Sequence, residues 1–387
     1  MDNRAVTRVS ELVRRGSDVV TLLREVNELM VASVPHFWTP CWYTLDPATH
    51  LITSHFHEGM NEFPPEWLAE EYRGDDVHSL TEVIATGLPV STLHDATGGD
   101  PSGTRRWQLN MELGGDQELI APLRDRAGQV WGALGLYRET GAPVFSGDER
   151  ELITGIAPLL ADGVRRGLLV GEARDPEFDS APGLIVLDSP TDVASMTDHA
   201  RRWLDDFPDG DLEKSLLPTA VSSVAAAALA ADRQEAAEAP EVRLRTRQGT
   251  WVTLHGSVLR GEAGRQTAVI VEPAHPERIV PLLMNAYGLT EREQAVTRLV
   301  LAGLPTAAIA EHLVVVPATV QQHLKSIFEK TGVRTRRDLT TQTFFHHYEP
   351  RLRDNEARVA DGRAVRGGPA VTGSTPWSAG AGAERDP

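Results

Sequence analysis

Gln321, Gln322 and Lys325 lie close together in the stretch PATVQQHLKSIFEKT, Pro317 to Thr331. A glutamine amide can pair bidentately with the N6/N7 edge of adenine, and a lysine ammonium can donate to guanine O6/N7. Around them Val320, Leu324, Ile327 and Phe328 stand at i, i+4, i+7 and i+8. That spacing predicts a helix with one buried stripe. Thr319, Gln321, Gln322, Lys325 and Glu329 fall on its other side. The plainer reading of such a face is a solvated surface, so the elements that hold the helix decide between the two.

Upstream, Thr290-Glu291-Arg292-Glu293 has the form of a capping box, with the Thr290 hydroxyl and the Glu293 carboxylate each satisfying the other's backbone amide. The helix it starts presents Val296, Leu299 and Val300 on one face and stops at Gly303. A short second helix turns Ile309 and Leu313 inward. Val314, Val315 and Val316 then read as a tight buried turn leading to Pro317 at a first helical position, where its missing N–H costs nothing. Thr331-Gly332 closes the long helix, and VRTRRDL begins a fourth. Two short helices, a tight turn and a longer helix with a polar face make a helix-turn-helix, and the longer helix is its groove-entering element.

This segment resembles the C-terminal DNA-binding domain of the LuxR family. The matching residues are Leu289-Thr290-Glu291-Arg292-Glu293, Gly303-Leu304, Ile309-Ala310, Thr319-Val320, His323, Ile327, Lys330, Gly332-Val333 and Arg336. The resemblance implies that Gln321, Gln322 and Lys325 face bases. It implies that Thr319, at the helix start, and Lys330, Arg334 and Arg336 meet phosphates, while His323 packs within the module. Two positions depart from the family pattern, which has serine where Pro305 and Val316 stand. Both are N-cap positions, and a lost serine cap typically costs about 1 kcal/mol. Thr306 is a candidate replacement cap for the second helix; nothing obvious replaces the cap at Val316.

Other chemistry is poorly served. No GxxxxGK[ST], HExxH, GxSxG or CxxC occurs, and no receiver-like acidic pair stands near the N-terminus with a later Asp and Lys to match. His55 and His57 alternate on a strand pattern, which more often marks surface or hydrogen-bonded histidines than metal ligands. The single cysteine, Cys41, cannot form an internal disulfide. The expectation is a non-enzyme without cofactor or metal.

The chain has 387 residues and a net charge of −17. Residues 288–345 hold seven basic and five acidic groups, whereas the first 287 hold 25 basic and 44 acidic. A mildly basic module on an acidic body suits a regulator that touches nucleic acid at one end. In the body, CWYTLD and HLITSHF read as two strands, and ELIAPLRDRAGQVWGALGLYRE as a hairpin around DRAG. FSGDERELITGIAPLLADGVRRGLL reads as a helix capped by Ser146 or Asp148. Through that hairpin, the phrase GALGLYRE and the closing helix, residues 17–172 resemble a GAF domain. ARDPEFDSAPG, 173–183, reads as a linker. Residues 183–275, opening on GLIVLD and carrying the hairpin RQGTWVTL, resemble a PAS-type domain. Such folds imply small-molecule sensing or dimerisation. WYTLD bears a superficial resemblance to acyl-homoserine-lactone receptors, but the middle domain does not fit that plan.

Residues 276–287 form a connector with Ile279, Val280, Leu282, Leu283 and Ala286 on one face, and Pro281 limiting its continuity as a helix. The Gly-, Ala- and Pro-rich tail, 346–387, reads as disordered. No apolar run is long enough to span a membrane, and the N-terminus lacks a signal-peptide core, so the expectation is a cytoplasmic protein. The fold class expected is multidomain: two α+β sensor-type domains and an all-α, four-helix helix-turn-helix domain. The expected function is a DNA-binding transcriptional regulator, a homodimer on a pseudo-palindromic double-stranded site, controlled by a small-molecule effector. Two other readings use the same residues. In one, the N-terminal domains only dimerise or dock a protein. In the other, motivated by the lost caps, the module serves protein interaction without DNA.

Overall fold

A computed structural model describes residues 3–57, 65–72, 74, 76–170, 181–234, 239–261 and 264–341. The expected tail and most of the expected linker lie outside the described residues. Among those described, no helix is long and apolar enough to cross a membrane.

The first domain runs α1 (Asn3–Arg15), α2 (Val19–Ser33), β1 (Cys41–Leu45), β2 (Ile52–Phe56), α3 (Pro65–Glu71), α4 (Leu80–Thr86) and β3 (Ser91–Thr92). It continues through α5 (Leu93–Ala96), α6 (Arg105–Glu112), β4 (Gly115–Arg124), β5 (Val130–Glu139) and α7 (Gly147–Gly167). The sheet is antiparallel in the order β2-β1-β5-β4-β3. Strand side chains alternate between faces. Trp42, Leu119 and Leu134 join a core with α1, α2 and α7. Tyr43, Ile120 and Ala133 join another containing Trp67, Leu80 and Leu109. Coverage on both faces explains why β4 and β5 are buried along almost their whole length. Ser146 is the cap of α7, through a complete capping box with Glu149. Helix α1 begins before the expected boundary at residue 17, and its Ala5, Val9, Leu12 and Val13 are buried in the same core as α7.

The second domain repeats the plan: β6 (Gly183–Ser189), β7 (Asp192–Met196), α8 (Asp198–Asp205), α9 (Thr219–Arg233), β8 (Glu241–Arg245), β9 (Trp251–Gly261) and β10 (Gly264–Pro273). Its order, β7-β6-β10-β9-β8, is that of the first sheet. Helices α8 and α9 cover one face through Trp203, Leu204, Val221 and Val224. The domains are tied by buried polar contacts. Asp46, 1% exposed, receives the backbone N–H, Nε and Nη2 of Arg243 at 3.0, 2.8 and 2.5 Å. Asp209 accepts from the His55 amide at 2.8 Å, and Ser223 from the Ile52 amide at 3.1 Å. The two also exchange apolar residues: Leu51 sits in the second core and Trp251 in the first.

The connector is one helix, α10 (Pro276–Ala286), running unbroken through Pro281. The expected break does not occur. Proline removes one intrahelical donor, and the helix is held from outside by the burial of Ile279, Leu282, Leu283 and Ala286 in the first domain's core. Among the described residues four helices follow: α11 (Glu291–Leu301), α12 (Thr306–His312), α13 (Pro317–Thr331) and α14 (Arg336–Thr341). They share a core of Leu289, Val296, Val300, Ile309, Val320, Leu324, Ile327 and Leu339, which also takes in Met284 from α10.

Candidate nucleic-acid interface

Helix α13 has the two faces its sequence predicts. Val320, Leu324 and Ile327 are buried and Phe328 is partly so. Gln321, Gln322, Lys325 and Glu329 are exposed, and Thr319 and His323 are half-buried. The base-facing candidates therefore sit together on one open surface backed by a rigid core. Gln321 Nε2 leans onto Thr306 Oγ1 at 3.3 Å.

The charged residues are placed less simply. Arg334 is exposed. Arg336 donates from Nη1 to the Leu304 carbonyl at 3.0 Å and from Nη2 to Thr306 Oγ1 at 2.8 Å, pinning α14 to the start of α12. Lys330 Nζ lies 2.6 Å from Glu293 Oε2. Glu293 is a hub. It completes the Thr290 capping box, accepting the Thr290 amide at 2.7 Å, and takes the Ser326 hydroxyl on its other oxygen at 2.6 Å. Burial opposes its ionisation, but the bonds from Lys330, Ser326 and Thr290 prevail and hold its pKa at about 2. The family-like residues Thr290, Glu293 and Lys330 thus lock α11 onto α13 and fix the angle of the polar face.

Both expected lost caps are real: Pro305 and Val316 occupy N-cap positions without a side-chain bond. Thr306 does not replace the cap of α12, because its hydroxyl is the acceptor for Arg336 and Gln321. The valine turn also departs from expectation. Val314 and Val316 are 89% and 63% exposed, and Val315 is at the exposed margin. The cause is backbone geometry. Val314 has φ +53°, Val314 N donates to Glu311 O at 3.2 Å and Val315 N to Ala310 O at 2.9 Å. This is a Schellman motif, and its left-handed residue carries the chain outward.

Elsewhere the structure gathers groups that sequence spacing did not. Arg106 is buried among Glu71 (2.5 Å), Asp76 (2.5 Å) and Glu118 (3.2 Å). Glu118 also meets His78 at 3.2 Å and accepts the Tyr137 hydroxyl at 3.1 Å. Burial pushes Glu71 up to about 7 against the pull of Arg106. Burial acts on Glu118 too, but Arg106 and His78 outweigh it and keep its pKa low. The members come from α3, α6, β4, β5 and the loop before α4, so no local motif announces them. His55 stacks on Tyr43 with centroids 4.6 Å apart, and burial and His57 lower its pKa to about 3. Among the described residues, no three His, Cys, Asp or Glu side chains are grouped to hold a metal.

The C-terminal arrangement defines a helix-turn-helix domain, with α12 and α13 its paired helices. Residues 288–343 match the family model of bacterial regulatory proteins, luxR family, so this part of the chain is a LuxR-type regulatory domain. No curated protein matches the chain. Similar solved structures include the phycoerythrobilin-bound GAF domain of a cyanobacterial phytochrome, at 17% identity and TM-score 0.33, covering 44% of this chain and 96% of that one. A bacteriophytochrome from R. palustris is 13% identical with TM-score 0.30, covering 70% and 62%. A Vibrio cholera VqmA–ligand–DNA complex is 18% identical with TM-score 0.20, covering 42% and 80%. At these scores no residue role passes from those proteins to this one.

Proposed function

We propose that this protein is a cytoplasmic, sequence-specific transcriptional regulator that places α13 in the major groove. The observation that carries this is the exposed Gln321–Gln322–Lys325 surface, on a LuxR-type domain, backed by the buried Val320–Leu324–Ile327 stripe. In this reading the three side chains meet base edges, and Thr319 and Arg334 meet phosphates. Lys330 and Arg336 contribute charge to the backbone while holding the helices in register. A module with net charge +2 neutralises few phosphates. Tight binding then requires two modules on two half-sites, hence a homodimer on a pseudo-palindrome. The N-terminal domains act as sensors of a small molecule, and α10, packed into both the first domain's core and the C-terminal core, carries the response.

Selection of random DNA by the purified full-length protein at fixed salt tests this reading. Enrichment of paired half-sites is expected. Failure to enrich any sequence would sink it, and enrichment of single half-sites would remove the dimer.

A further inference from the structure

A cleft of about 650 Å³ opens where the two N-terminal domains and α10 meet. That volume suits a small molecule. Its apolar wall includes Val20 of α2, Leu45 of β1, Phe56 of β2, Leu244 of β8 and Leu282 of α10. Its polar side is the β8–β9 hairpin, with Arg243, Arg245, Arg247 and Gln248. Against these arginines the cleft presents one carboxylate, Asp18. This is a basic lining on a body with 44 acidic and 25 basic residues.

The roles of these groups differ. Arg243 is committed to Asp46, and Asp18 caps α2 by accepting the Thr21 amide and hydroxyl. Arg245 reaches the carbonyls of Leu168, Val170 and Gly249, and burial lowers its pKa. Arg247 is exposed, with the Asp205 carbonyl 3.5 Å away. Trp251 also lines the cleft. It is 6% exposed, and its indole N–H is closed off from the cleft.

We propose that this cleft binds a small amphipathic anion. The apolar body rests on Val20, Phe56, Leu244 and Leu282, and the single anionic group faces Arg245 and Arg247. The site lies between the sensor domains, with part of its wall on the connector, so occupancy bears on α10 directly. This deepens the sensing half of the proposed function. Only the consequence for DNA rests on that reading, because the binding itself is measured without DNA.

The probe is 8-anilinonaphthalene-1-sulfonate, an aromatic body with one anionic group, titrated into the full-length protein and followed by its fluorescence. One saturable site is expected. Arg247→Glu, at an exposed position, should weaken it about tenfold or more by placing like charges together. Val20→Trp, which fills the cleft from a position already 40% exposed, should abolish it. Arg260→Gln, outside the cleft, should leave it intact. Decanoate should displace the probe and decyltrimethylammonium should not. Absence of binding, wild-type affinity in both cleft variants, or displacement by both or neither competitor would overturn the proposal. Binding with no change in DNA affinity would leave the site standing and remove its coupling to the DNA module.

Discussion

Val314 provides a test of the turn that sets α13 against α12. Among the described residues, four helix ends in the C-terminal third close on a residue at positive φ, Gly288, Gly303, Val314 and Gly332; the first three share the same pair of backbone bonds, while Gly332 and Val333 both donate to the Phe328 carbonyl. Three are glycine, and the fourth is a β-branched residue at φ +53°. The left-handed conformation costs an L-residue roughly 1–2 kcal/mol, and asparagine tolerates it better than valine. Because Val314 is 89% exposed, its covered surface contributes only about 0.2 kcal/mol. Val314→Asn should therefore stabilise the domain by about 1 kcal/mol. Val314→Gly should gain less, by about 0.5 kcal/mol, because glycine loses more backbone entropy on folding. Hydrogen exchange of the α12 and α13 amides in the full-length protein reads this locally, and about fivefold slower exchange is expected for the asparagine variant. Unchanged or faster exchange in both variants would refute the reasoning. It would show that the valine side chain makes a contact in solution that outweighs its backbone strain.

Other expectations follow from the same geometry. Lys325→Ala should relax preference at one base position by about 1–3 kcal/mol, visible as a changed motif in DNA selection. Arg336→Ala should weaken binding to all sequences and flatten the salt slope by about one; it should also loosen α14 from α12 in hydrogen exchange, since it removes the bonds to Leu304 and Thr306. Val316→Ser should stabilise the first turn of α13 by at most about 1 kcal/mol, because the hydroxyl can accept from that turn's amides; a lowered melting temperature would count against the cap. Glu293 gives a pH dependence. Its folded pKa of about 2 lies below the unfolded value, so its contribution is complete above about pH 4.5 and fades as the pH falls toward 2. Glu293→Gln should cost about 2 kcal/mol at pH 7 and less at pH 3 in calorimetric unfolding; an equal penalty at both would show that shape, not charge, matters.

What could be read from the sequence was local. The Val320–Leu324–Ile327 stripe, the Thr290–Glu293 box, the hairpin around Asp125 and the Ser146 cap each span a few residues, and periodicity or capping chemistry reports them directly. The candidate reading face follows from the same stripe, because a helix that buries one side must expose the other. Helix α1 was legible in principle, with Ala5, Val9, Leu12 and Val13 at helical spacing, though Arg8 and Glu11 interrupt them. What could not be read was the pairing of distant charges. Asp46 with Arg243, Glu293 with Lys330, and Arg106 with three carboxylates depend on how elements pack. Val314 misled for a different reason. Three valines in a row suggest burial, and nothing in a valine's chemistry announces a left-handed residue that turns it to solvent.

The connector shows why the two halves of the molecule belong to one argument. Ile279, Leu282, Leu283 and Ala286 of α10 lie in the first domain's core, while Met284 lies in the core beneath α13. A helix residue points about 100° from its neighbour, so adjacent positions on one short rod serve two cores at once. The far end is fixed by Arg165 of α7, whose Nη1 donates to the Ala286 carbonyl at 2.5 Å. Gly288 follows at φ +69°, and a Cβ there would stand 2.9 Å from that same Nη1. Glycine is thus favoured at this position by the backbone turn, and a side chain there would displace the Arg165 guanidinium from the Ala286 carbonyl. A rotation of α10 large enough to move Met284 must also move Leu282 in the interdomain cleft and strain the Arg165 contact. The exposed polar face of α13 is therefore joined to the N-terminal domains by packing through α10, and the residues that make this joint are distinct from those of the polar face itself.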